Sequence, residues 1–137
     1  MFRIVPLPVL TTKQIASLRT LCSLGVAAIR AASVAQSSVR DVVAFGTAWQ
    51  DERDFLRRLC REYTRGDAAF AVDEQHQGDR FERLSPLQFA SRLKRLREIE
   101  LEQQMFSDLE NGFIASRAEF EPHDMDWTQE VAQNASA

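Results

Sequence analysis

Two segments of this chain carry the same helix-start chemistry, and they mark where helices must begin. Leu10-Thr11-Thr12-Lys13-Gln14-Ile15 and Leu84-Ser85-Pro86-Leu87-Gln88-Phe89 each set a hydroxyl residue three places before Gln, between apolar neighbours. This is a capping box with a hydrophobic staple. Thr11 or Ser85 accepts a bond from an orphan backbone N–H, and Gln14 or Gln88 reaches back to accept one from the cap. Leu10 then packs on Ile15, and Leu84 on Phe89. Pro86 occupies the first helical position, where its missing N–H costs nothing.

Between these starts the chain is poor in turn residues. It has 137 residues but only five Gly and four Pro, and Pro6 and Pro8 fall in the first ten. Ile15, Leu18, Cys22, Val26, Ile29 and Ala32 follow a helical repeat that continues through Val39, Val42 and Val43. Gly25 and Gln36-Ser37-Ser38 are candidate breaks. Phe45, Trp49, Phe55, Leu56, Leu59 and Tyr63 form a further stripe, opposed by charged residues and stopped at Gly66. Phe89, Leu93, Leu96, Ile99, Phe106, Leu109 and Phe113 continue the second capped helix. The pattern predicts an all-α fold, a small bundle or coiled-coil-like hairpin of long amphipathic helices. Residues 1–10 read as an extended arm, 11–120 as one helical domain, and 121–137 as a disordered acidic tail. Phe45, Trp49, Phe55, Phe89, Phe106 and Phe113 are the expected core.

Charge is unevenly placed. Arg3, Lys13, Arg19, Arg30 and Arg40 precede the first acid, Asp41, while the chain as a whole carries −3. The two parts should attract one another. Cys22 and Cys60 have no ligand spacing and read as reduced thiols of a cytoplasmic protein. No run reaches the ~20 apolar residues that cross a bilayer.

No Gly-rich phosphate loop, nucleophile elbow or metal-ligand pair of known spacing is present. The chain therefore reads as a non-enzyme without cofactor or metal. Asp73-Glu74-Gln75-His76 with Asp79 contains ligand-type side chains but reads as a solvated loop.

Two features point to partners. Arg92, Lys94, Arg95 and Arg97 precede Glu98, Glu100 and Glu102 on one helix, against the helix dipole. An antiparallel second copy would pair basic half with acidic half, so this helix is the expected self-association surface. Trp127, in Asp124-Met125-Asp126-Trp127, reads as an aromatic docking residue in the tail.

Leu10-Thr11-Thr12-Lys13-Gln14 with Ala16-Ser17-Leu18-Arg19-Thr20-Leu21 resembles the opening of phasins, proteins that coat polyhydroxyalkanoate granules. The resemblance covers about 25 residues, and Thr12-Lys13 stands where phasins usually have Pro-Glu. It implies amphipathic helices coating an apolar granule surface, without catalysis. The expected function is a non-catalytic helical interaction or surface-coating protein, acting as an oligomer with itself or another helical protein. The alternative is a helix-turn-helix DNA binder over residues 25–45. There Gln36-Ser37 would form the turn, and Ser38 and Arg40 would lie on a recognition helix packed through Val42.

Overall fold

The computed structural model describes residues 1–129. Its elements, in chain order, are β1 (Phe2–Pro6), α1 (Thr12–Cys22), α2 (Val26–Ala35), β2 (Arg40–Val42), α3 (Trp49–Arg65), β3 (Phe70–Gln75), β4 (Phe81–Leu84) and α4 (Pro86–Glu110). A short 3-10 turn follows at Arg117–Glu119. The fold is therefore mixed, with helices packed on a four-stranded antiparallel sheet of order β2-β1-β3-β4. The all-α bundle or coiled-coil hairpin expected from the helical repeats is corrected. The pairings of β1 with β2 and β3 join residues far apart in the chain, which periodicity within a window does not register, and the β3–β4 hairpin is built from strands too short to show a clear period.

Both capping boxes form as read. Thr11 Oγ1 accepts from the Gln14 N–H at 3.1 Å while Gln14 Oε1 accepts from the Thr11 N–H at 2.9 Å. Ser85 and Gln88 repeat the exchange at 3.1 and 2.8 Å. The long first helix does break at both candidate points. Ser23 closes α1 in the left-handed conformation, Gly25 caps α2, and the two helices meet at 106°. Gln36, also left-handed, ends α2, and its side-chain amide donates to the carbonyls of Pro6 and Ser33. The chain then turns into β2, so Arg40 and Val42 lie on a strand and Ser38 precedes it. The recognition helix expected within 25–45 does not exist.

The N-terminal segment read as an extended arm pairs into the sheet. Residues 2–6 form an inner strand, flanked by β2 and β3. Pro6 is tolerated because it closes the strand, where its missing N–H removes no central ladder bond.

The register sorts the two sheet faces. Phe2, Ile4, Val42, Val72 and Leu84 share the inner face and are all buried. They meet Phe55, Leu56, Leu59 and Cys60 of α3 and Phe89, Ala90 and Leu93 of α4 in one core, which Leu18, Leu21 and Ile29 of α1 and α2 join. On the outer face Asp41, Arg3, Asp73 and Arg83 stand in register across the strands, an alternating ladder of charge. Arg83 Nε bonds Asp73 at 2.9 Å, and Arg3 lies 3.9 Å from Asp41. Of these contacts only Arg3–Asp41 joins the basic first 40 residues to the remainder of the chain.

Of the expected core aromatics, Phe55 and Phe89 are fully buried, and Phe45 and Trp49 are half-buried against each other. Phe106 and Phe113 are 53% and 77% exposed. They lie at the distal end of α4 and just beyond it. Among the described residues no single helix is long and apolar enough to cross a membrane.

Candidate functional site

α4 carries Arg97, Glu100, Gln104 and Asp108 at helical spacing, which places them along one face. On α3, Trp49 and Arg53 stand one turn apart. After α4 the chain reverses at Gly112, whose φ of +75° suits glycine. It then runs back, and residues 123–127 lie along the polar face of α4. Within the tail read as disordered over 121–137, His123, Asp124 and Trp127 are held against the helices; residues 130–137 lie outside the described residues.

Asp124 is gripped from three sides. Its carboxylate accepts from Arg53 Nη1 at 2.6 Å, Arg97 Nη1 at 2.9 Å and Gln104 Nε2 at 3.1 Å. Arg97 Nη2 also donates to the Asp124 carbonyl at 3.0 Å. Glu100 is the second hub. It accepts from the Trp49 indole at 2.7 Å, Arg53 at 3.0 Å and the Trp127 indole at 3.1 Å, and pairs with Arg97. The two indoles meet edge to face with centroids 5.8 Å apart, a favoured aromatic geometry. His123 adds a backbone bond to Gln104 and a ring contact to Asp108 at 2.8 Å.

The electrostatics follow from this geometry. Burial opposes the charge on Asp124, but hydrogen bonds from Arg53, Arg97 and Gln104 outweigh it and hold the carboxyl well below its ordinary range. Glu100 is also buried, and bonds from Arg97, Trp49 and Trp127 with the charge of Arg53 lower it in the same way. Burial likewise opposes charge on Arg53 and Arg97, yet Asp124 and Glu100 raise both above the usual guanidinium range. Two cations and two anions thus stay ionised together. Removing one partner of such a set strands the others without water, which is why it specifies one geometry. The Nε atoms of Arg53 and Arg97 remain buried without a hydrogen-bond partner among the described residues. Asp126 Oδ1 lies 4.0 Å from Arg97 Nε. Chemically the arrangement grips an acidic, aromatic stretch of polypeptide.

The residues expected to form a self-association stripe are dispersed. Arg92 bonds Glu74 of β3 at 2.9 Å, and Arg95 pairs with Glu98 on α4. Arg97 and Glu100 are buried in the site just described, while Lys94 and Glu102 face solvent. Trp127 is 7% exposed and docks on its own chain. Arg53, Gln104, Asp108 and His123 are not singled out as site residues by the sequence, and Asp124 enters there only as a neighbour of Trp127. The polar run at 97, 100, 104 and 108 was the available signal, since a half-polar helix face usually meets water.

Two further groups bear on chemistry. Cys60 is buried, which pushes its thiol up to about 12, and both cysteines are free. At the β3–β4 hairpin, His76 Nε2 lies 2.6 Å from Glu82 and 3.8 Å from Glu74. No protein-family model matches this chain, and no characterised protein or solved structure is similar to it at a significant level.

Proposed function

We propose that this protein is a non-catalytic interaction module, whose α3–α4 groove receives an acidic, tryptophan-bearing segment. In the isolated chain the occupant is its own 121–129, and when chains associate a second copy supplies it. The observation that carries this reading is how the segment is held. Among the described residues, its hydrogen bonds to the helices all involve a side chain. That is how charged clusters read peptides, with arginine fixing the acid and an aromatic filling its side. The stretch joining segment to helix, 113–122, is exposed apart from half-buried Ile114 and Phe120. It has little packing to lose if the segment leaves.

The test uses the full chain with Asp124→Asn and Trp127→Ala, which frees the groove. A fluorescent peptide of residues 120–129 should then bind saturably, and bind the wild type far more weakly because the groove is taken. Adding Arg97→Met should remove binding. A freed groove that ignores the peptide, in a variant whose circular dichroism is native, would refute the proposal.

A further inference from the structure

We infer that the β3–β4 hairpin is a binding site for one divalent transition-metal ion of the zinc class, held by Glu74, His76 and Glu82. The register makes Glu74 and Glu82 directly opposed partners, so their side chains leave the same sheet face. His76 follows Glu74 by two residues and reaches the same place. One ligand atom from each of the three lies within 4.8 Å of the others. His76 Nε2 stands between the two opposed carboxylates, 2.6 Å from Glu82 and 3.8 Å from Glu74.

The spacing fits zinc. Bonds of about 2.0–2.1 Å in a tetrahedron put ligand atoms about 3.3 Å apart. The imidazole-to-carboxylate distances of 2.6 and 3.8 Å bracket that value, so small side-chain rotations suffice. The imidazole argues for zinc, nickel or copper over calcium or magnesium, which prefer oxygen alone.

The frame is set in advance. His76 N–H bonds the Arg80 carbonyl at 2.9 Å, and Gln75 Nε2 bonds the Gly78 carbonyl at 2.9 Å, closing the turn. Arg92 Nε donates at 2.9 Å to Glu74 Oε1, the same oxygen that lies 3.8 Å from His76 Nε2, so the guanidinium fixes this carboxylate and an ion would bind beside that pair. The His76 and Glu82 side chains are 46% and 44% exposed, so an ion has an entry path and a fourth position open to water. Asp73, on β3, and Asp79, in the turn, do not belong to the set. Asp73 faces the other side of the sheet, bound to Arg83.

Zinc titration of the full chain by calorimetry, in a buffer that does not chelate, tests this. One ion per chain is expected, with His76→Ala and Glu82→Gln each weakening it at least about tenfold, the loss that even an outer-shell change produces. Asp79→Asn, in the same turn, and His123→Ala, in the other cluster, should bind as wild type. Cobalt in place of zinc should give the visible absorption of a tetrahedral site. Absence of zinc uptake by the wild type overturns the inference. So does uptake that His123→Ala removes or that Asp79→Asn weakens as much as His76→Ala does.

Discussion

Arg97 and Asp124 hold each other across the reversal after α4: one guanidinium nitrogen bonds the carboxylate at 2.9 Å and another the same residue's carbonyl at 3.0 Å. One side chain thus fixes both the acid and the path of the chain that bears it. This pair, with Arg53 and Glu100, turns the C-terminal segment into part of the domain.

Breaking that pair from either side has unequal effects. Arg97→Met leaves Asp124 and Glu100 short of a buried cation and should cost about 3 kcal/mol. Asp124→Asn keeps the shape and some hydrogen bonds, and should cost about 1–2 kcal/mol. Urea unfolding of both variants checks the order, and an Asn variant weaker than the Met variant contradicts it.

The same carboxyls set an acid limit. Asp124 and Glu100 are both held below their ordinary values. The unfolded chain therefore binds more protons than the folded one in acid, and stability rises with pH there. Their contribution is fully present above the unfolded values of about 4 and is lost as pH falls toward the lowered folded values. The stability gap between wild type and Asp124→Asn should be flat above about pH 5 and shrink below about pH 4. A gap that widens in acid would reverse the assigned sign.

Phenylalanines that look alike in the sequence should differ sharply. Phe55 is 1% exposed and carries the Arg40 guanidinium 3.6 Å above its ring. Phe55→Ala should cost about 3–5 kcal/mol. Phe113 is 77% exposed, and Phe113→Ala should stay within about 0.5 kcal/mol. Thermal unfolding of the two variants decides it; equal losses would place Phe113 in a core it does not join here.

The two caps act separately. Thr11→Ala and Ser85→Ala should each cost about 1 kcal/mol. They start different helices and share no hydrogen bond. The double variant should therefore lose the sum, within about 0.5 kcal/mol.

Legibility tracked how local each interaction is. The caps close within four residues, so Thr11, Gln14, Ser85 and Gln88 could be read directly. Gly66 also ends its helix as read, at a φ of +90°. The sheet escaped because Phe2-Arg3-Ile4-Val5 precedes two prolines, and its partners at Val42 and Phe70–Glu74 lie far along the chain. The segment 40–42 continued a helical apolar repeat but pairs as an edge strand, once Gln36 turns its amide to the Pro6 carbonyl. Trp127 reads in the sequence as a docking residue for a partner, and in the structure it packs on its own chain. That dock was not legible, because Arg97 and Glu100 look like ordinary surface charges until Asp124 returns from 27 residues away.

The docked segment is tested most directly by the indole N–H signals of the full-length chain in nuclear magnetic resonance. The chain has two tryptophans, and both donate to Glu100. Both signals should be displaced from free-indole positions, exchange slowly with water, and move together in Glu100→Gln. A Trp127 signal at the free-indole position, exchanging fast and unmoved by Glu100→Gln, would contradict a docked C-terminal segment.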